Sequence, residues 1–235
     1  MASLFTVLFV AVMCYVILML FKYLSKKKEE KPETGGIKNI IFDVGQVLVD
    51  YDWETYLDSF GFEPVKRERI AKATFQSPVW DERDRGLYEE DVYLKQFQEL
   101  DPEDAEDIEK VIRGTGGTIH KRPYADTWVK YLKSKGYHLY ILSNYASYMI
   151  DHTKKELTFR KEMDGEVFSC YVNQLKPEPE IYQTILDKYQ LKPEESVFID
   201  DRPENCQGAQ KQGIHTICFG DFKQVAADLE KLGVK

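Results

Sequence analysis

Four short apolar runs recur at wide intervals along the chain: "IKNIIFD" at 37–43, "YHLYILS" at 137–143, "ESVFID" at 195–200 and "HTICF" at 215–219. Each gives way to a polar turn and then to a helical pattern. Continuous apolar strands alternating with helices restrict the fold to a parallel sheet covered on both faces, because a sheet with one wet face would alternate apolar and polar positions. The expectation is an α/β chain with a three-layer, Rossmann-like core. Helix starts agree with it. Pro177 and Pro179 open "PEPEIYQTILDKY", with Ile181, Ile185 and Tyr189 on one face, and Pro203 opens "PENCQGAQKQG", which Gly213 would end.

Between the first two runs lies a long insertion at 53–122, in which Trp53, Tyr56, Phe60, Phe75, Trp80, Tyr88, Tyr93 and Phe97 stand among helix-forming charged residues. It reads as a helical cap whose aromatic residues form mainly its own core. Trp80, Arg83, Arg85 and Tyr88 are its candidates to face a ligand, no one of them preferred. A formal net charge of −8 over 235 residues would repel a phosphate backbone, so nucleic acid is not an expected partner. Cys14, Cys170, Cys206 and Cys218 show no C-x-x-C spacing, and His120, His138, His152 and His215 sit at no ligand spacing, so neither set is assigned a metal.

The first residues are of another kind. From Leu4 to Phe21 eighteen residues carry no charge, and as a helix they would span about 27 Å, enough to cross a bilayer. Lys22, Lys26, Lys27, Lys28 and Lys31 follow, whereas no lysine or arginine precedes. That bias predicts a single membrane anchor at 1–21 with the remainder cytoplasmic. The lack of a basic n-region and of a small-residue cleavage site argues against a removable signal. Residues 22–36, ending in Pro32, Gly35 and Gly36, have the composition of a flexible tether. The α/β core would then comprise 37–52 and 123–235.

In an open α/β sheet, ligands bind beyond the carboxyl ends of the strands. The residues found there are Asp43, Ser143 with Asn144, and Asp200 with Asp201; Lys176 stands just before the Pro177 helix. Carboxylates to hold Mg²⁺, with a lysine and neutral donors for phosphate oxygens, make a set suited to phosphoryl transfer. Plainer roles compete: Asp43 or Ser143 as a strand-end cap, Lys176 as a surface charge, Asp200 as a cap for the Pro203 helix. Asp50 and Asp52 read as loop or hinge acids.

"FDVGQVLVD", "ILSN", "LKPEPEIY" and "FIDDRPEN" resemble, in order, the four motifs of the haloacid dehalogenase (HAD)-like hydrolase superfamily, in the branch with a helical cap between the first and second motifs. The resemblance spans about 37–235. It implies a HAD-type core and a Mg²⁺-dependent phosphatase in which Asp43 is the nucleophile that becomes an aspartyl-phosphate. Ser143 and Asn144 would bind the phosphoryl group, and Lys176 would neutralise it and orient Asp43. The metal would be held by Asp43, the Gly45 carbonyl and Asp201, with Asp200 a ligand or the holder of a bound water.

One position departs from many phosphatases of the superfamily, which carry a second aspartate two residues after the nucleophile. Here that place is Gly45. Loss of a positioned acid and base typically forfeits a factor of about 10² to 10⁴. Leaving groups of low pKa suffer least, and the motif resembles a subgroup with glycine here that includes sugar-1-phosphate phosphatases. The expected substrate is thus a small phosphorylated metabolite, a sugar phosphate by preference. Hydrolytic dehalogenation and a membrane-tethered, non-catalytic phosphate-binding scaffold are the alternatives.

Overall fold

The computed structural model describes residues 36–235. The expected anchor at 1–21, and all of the expected tether but Gly36, lie outside them. Among the described residues no helix is long and apolar enough to cross a membrane.

The chain enters through β1 (Asn39–Phe42) and β2 (Val49–Tyr51). Five helices follow: α1 (Trp53–Asp58), α2 (Pro64–Ala73), α3 (Pro78–Arg85), α4 (Glu90–Leu100) and α5 (Ala105–Arg113). β3 (Ile119–Lys121) then pairs antiparallel with β2 and closes the insertion with a short ribbon. The remainder alternates: α6 (Ala125–Ser134), β4 (His138–Ser143), α7 (Ser147–His152), β5 (Gly165–Phe168), α8 (Ser169–Val172), α9 (Pro179–Tyr189), β6 (Ser196–Asp200), α10 (Pro203–Lys211), β7 (His215–Cys218) and α11 (Phe222–Lys231).

β1, β4, β5, β6 and β7 form one parallel sheet in the order β5-β4-β1-β6-β7. The pleat sends successive β1 side chains to opposite faces. Ile40 and Phe42 pack in one cluster with Trp128, Val129 and Leu132 of α6 and with Val225 and Leu229 of α11. Ile41 packs in another with Ile181 and Ile185 of α9 and Ala209 of α10. Burying one such side chain contributes about 1.5 to 3 kcal/mol, so a strand dry on both faces has few alternative registers. This is the three-layer core that the apolar runs predicted.

The insertion holds its own cluster, including Leu57, Ile70, Phe97, Ile108 and Ile112. Trp53 stacks on Phe75 at 5.2 Å between ring centroids, and Phe75 lies 4.9 Å from Trp80. Three elements differ from the sequence expectation. β5 and the β2/β3 ribbon are additional strands, and α9 begins at Pro179 rather than Pro177.

From β1 the sheet proceeds to β4 and β5 on one side, then to β6 and β7 on the other. The strand order therefore reverses at β1. Its carboxyl end, flanked by those of β4 and β6, is where such a sheet opens a crevice.

Candidate active site

Asp43 is the first residue past β1, and its backbone N–H donates to the Ile199 carbonyl of β6 at 2.9 Å. Three donors converge on one oxygen of its carboxylate. The Val44 amide and the Ser143 hydroxyl each reach Oδ1 at 2.7 Å, and the Lys176 ammonium reaches it at 2.9 Å. None of the three touches Oδ2. Lys176 also meets Asp200 Oδ2 at 2.6 Å, and its side chain is only 1% exposed. A buried ammonium is tolerable only when paired, and two carboxylates pair it here.

Asp200 is fully buried and saturated. Besides Lys176 it accepts from the Arg202 amide at 2.8 Å and from Asn205 Nδ2 at 3.0 and 3.1 Å. Asp43, Asp200 and Asp201 each present an oxygen within 4.8 Å of the others. So many acids in a dry crevice shift one another. Burial first, then the charge of Asp200, raises Asp43 from 3.8 to about 7 against the pull of Lys176. Burial and Asp200 also raise Asp201. Burial alone would lower Lys176, but Asp200 and Asp43 together hold it above its ordinary range.

Asn144 lines the cavity, and its side chain bonds the backbone of Lys176. Its Oδ1 accepts from the Lys176 amide at 2.8 Å and its Nδ2 donates to the Lys176 carbonyl at 3.0 Å. The amide thereby clamps the lysine loop. Gly45 lies on the cavity wall, where an added Cβ would meet nothing within 4 Å. Asp50 lies in β2 rather than in a loop and pairs with Arg122 at 2.9 Å, whereas Asp52 caps α1 through the Thr55 amide at 3.0 Å.

A cavity of about 290 Å³ opens over this cluster. Asp43, Gly45, Lys176, Asp201, Arg202 and Asn205 line its floor; Phe75, Trp80, Asp81 and Asp84 come from the insertion. Of the four expected insertion residues only Trp80 is on its wall. Arg83 is buried against Glu90, Arg85 is paired with Glu178, and Tyr88 is 58% exposed. Tyr51 also lines the cavity, and its hydroxyl is buried with no hydrogen-bond partner among the described residues. Burial, then the charge of Asp84, pushes that phenol well above its usual range, so it stays a proton donor. Asp81, Asp84, Asn205 and Tyr51 were missed in the sequence. A faint signal existed for the first two, since acids at i and i+3 in "WDERDR" share one helix face.

Residues 37–213 match the haloacid dehalogenase-like hydrolase family. The chain belongs to that family. Among curated relatives of this HAD-like hydrolase, flavin mononucleotide hydrolase 1 of Arabidopsis thaliana is 25% identical over 211 residues, covering 89% of this chain and 83% of the relative. D-ribitol-5-phosphate phosphatase of Bacteroides thetaiotaomicron is 25% identical over 191 residues, covering 77% and 90%. Bifunctional epoxide hydrolase 2 of Rattus norvegicus is 34% identical over 107 residues, 43% of this chain, but the match spans only 19% of that longer protein. A crystal structure of a HAD family enzyme of B. thetaiotaomicron, in complex with magnesium and inorganic phosphate, has the same fold. Its TM-score is 0.64 at 22% identity, over 81% of this chain and 99% of that one.

Proposed function

We propose that the chain is a magnesium-dependent phosphatase that hydrolyses a small phosphomonoester, a sugar phosphate by preference, through an aspartyl-phosphate on Asp43. The observation that carries this reading is the asymmetry of Asp43: three donors hold Oδ1, and none of them occupies Oδ2. A carboxylate so fixed has one oxygen to attack with and little freedom to lose.

The donor set fits a hard divalent cation. Three carboxylate oxygens crowded within 4.8 Å repel one another, and all-oxygen surroundings suit magnesium. Asp43, Asp201 and the Gly45 carbonyl are the groups that would hold it. Asp200, with every lone-pair direction already used, serves by fixing Lys176. When bound, the cation neutralises phosphate charge and draws the phosphoryl group toward Asp43. Asp43 Oδ2 attacks phosphorus, the third N–H of Lys176 takes an equatorial oxygen, and the Ser143 hydroxyl turns from Oδ1 to take another. Water then releases phosphate from Asp43.

Cavity size and lining support a small polar substrate. About 290 Å³ is at the lower limit of ligand pockets, and the unpartnered Tyr51 hydroxyl offers a donor to a substrate hydroxyl. The ribitol-phosphate relative supports the sugar preference. Dehalogenation would have no use for the Asp200 and Asp201 pair, and a mere scaffold no need for the Lys176 network.

Residues 53–122 act in this reading as the cap that selects substrate, over a core of 37–52 and 123–235. The apolar run at 1–21, with the tether, would hold the domain at the cytoplasmic face of a membrane. Phosphate release by the full-length protein from a panel of sugar phosphates, nucleotides and acyl phosphates tests the activity. Turnover in magnesium, lost in chelator and in Asp43→Asn, is expected; haloacid hydrolysis persisting in chelator would contradict it.

A further inference from the structure

We infer that Asp84, on the last turn of α3, is the proton donor and acceptor that position 45 lacks, serving first the leaving oxygen and then the attacking water. The inference rests on the phosphatase reading above. Apart from Asp43 and Asp201, the acids lining the cavity are Asp81 and Asp84, both contributed by α3. Asp81 is exposed, whereas Asp84 is partly buried.

What distinguishes Asp84 is how firmly its stretch of backbone is fixed to the core. The Ser169 hydroxyl donates to the Asp84 carbonyl at 2.5 Å, and Asn173 Nδ2 donates to the carbonyls of Arg85 and Gly86, both at 3.0 Å. The Arg85 guanidinium forks onto Glu178 at 3.0 and 2.7 Å, two residues past Lys176. Gly86 ends the helix in the left-handed region at φ 71° and presses on Cys170, whose Cα and carbonyl oxygen would lie 2.7 Å from an added Cβ. Only glycine permits that approach. The insertion is thus pinned to the sheet edge next to the residue that adds a carboxyl to the cavity lined also by Asp43.

The charges around Asp84 suit the task. Burial first raises it from 3.8 to about 7, with Asp81 and Asp43 adding to the rise and Arg83 and the Ala146 amide opposing it. Tyr51 of β2, Tyr145 past β4 and Cys170 of α8 are the other titratable groups that feel its charge. Arg83, the cation in that set, is committed to Glu90 at 3.0 and 2.6 Å. A group that titrates near the working pH can both give and take a proton.

As Asp43 Oδ2 bonds to phosphorus and the ester P–O bond breaks, the electron pair leaves with the ester oxygen, which takes the Asp84 proton and departs as a neutral alcohol. Asp84, now a carboxylate, accepts a proton from the water that attacks phosphorus. The P–O bond to Asp43 breaks, yielding phosphate, the Asp43 carboxylate and a reprotonated Asp84.

The test compares kcat/KM of full-length wild type and Asp84→Asn on a sugar phosphate esterified at a primary hydroxyl, whose alkoxide needs the proton, and on p-nitrophenyl phosphate, whose phenolate does not. The expected loss is about 10²- to 10⁴-fold on the sugar phosphate and less than about tenfold on the aryl ester, which also shows that the variant is folded. Adding Gly45→Asp to Asp84→Asn, at a position with room for the side chain, is expected to restore part of the lost rate. An equal loss on both substrates, or no loss on either, would overturn the inference alone. A wild type inactive on both would overturn the phosphatase reading and the inference with it.

Discussion

Two carboxyls raised to about 7, Asp43 and Asp84, and one buried lysine carry the electrostatics of this site. For Asp43 the unfolded chain titrates near 3.8 and the folded one near 7. Between those values the folded state binds the extra proton. Stability in chelator should therefore fall as pH rises from about 4 to 7, and less steeply in Asp43→Asn, where the raised Asp84 and Asp201 still contribute. Magnesium should remove the share that Asp43 contributes, and its own affinity should weaken about tenfold per pH unit below 7, since it must displace that proton. Thermal melts across pH, with and without the ion, check both. Lys176→Met would leave two buried carboxylates without their cation, and breaking such a pair costs about 3 to 5 kcal/mol. Urea titration at neutral pH should show that loss, and acidification to pH 5 should recover part of it. The sequence exposed Asp43, Ser143, Asp200 and Asp201 because they stand where apolar runs end, whereas Asp84 was missed. It concealed their division of labour. Asn144 clamps a loop and Asp200 is saturated because of Lys176, Arg202 and Asn205, partners set by the meeting of β4, β6 and the lysine loop rather than by local pattern.

β1, β4 and β6 were legible for the same reason that they are stable, since both faces are dry and nearly every residue is apolar; β7, at the sheet edge with His215 and Cys218 exposed, was legible from its apolar run alone. The others were not. β2 and β3 have three residues each, with Asp50 and Lys121 among them, and "GEVF" of β5 is too short to carry a period. These strands exist because of their neighbours. The same holds for α3, whose amphipathic pattern places Trp80 near the cavity but says nothing of Asp84, because the attachment of its end to α8 depends on contacts nearly 90 positions apart. Gly86→Ala should test that attachment. A Cβ at φ 71° and 2.7 Å from the Cys170 backbone should destabilise by about 1 to 3 kcal/mol. Because α3, which carries Asp84, must move to admit it, kcat for the sugar phosphate should fall at least as much as KM rises. Chemical denaturation and steady-state kinetics on one preparation separate the two effects.

At the scale of the whole molecule, an insertion with its own aromatic core sits on a parallel sheet and supplies part of the cavity wall. In the proposed function the nucleophile and its partners come from the core, and the helical layer adds Asp84 and part of the substrate wall. This explains why the family was readable from four motifs while the substrate was not. The proposed anchor belongs to this scale as well. The full-length protein should pellet with membranes and resist alkaline carbonate, and a chain lacking 4–21 should stay in the supernatant; equal partitioning of both would remove the anchor from the account. The most direct measurement for the enzyme itself is acid quench of the full-length protein during turnover in magnesium, followed by peptide mass analysis. The account predicts one phosphoryl group on the peptide that contains Asp43, absent in Asp43→Asn, which should also release no phosphate. Turnover undiminished in that variant, or a phosphoryl group on any other residue, would contradict it.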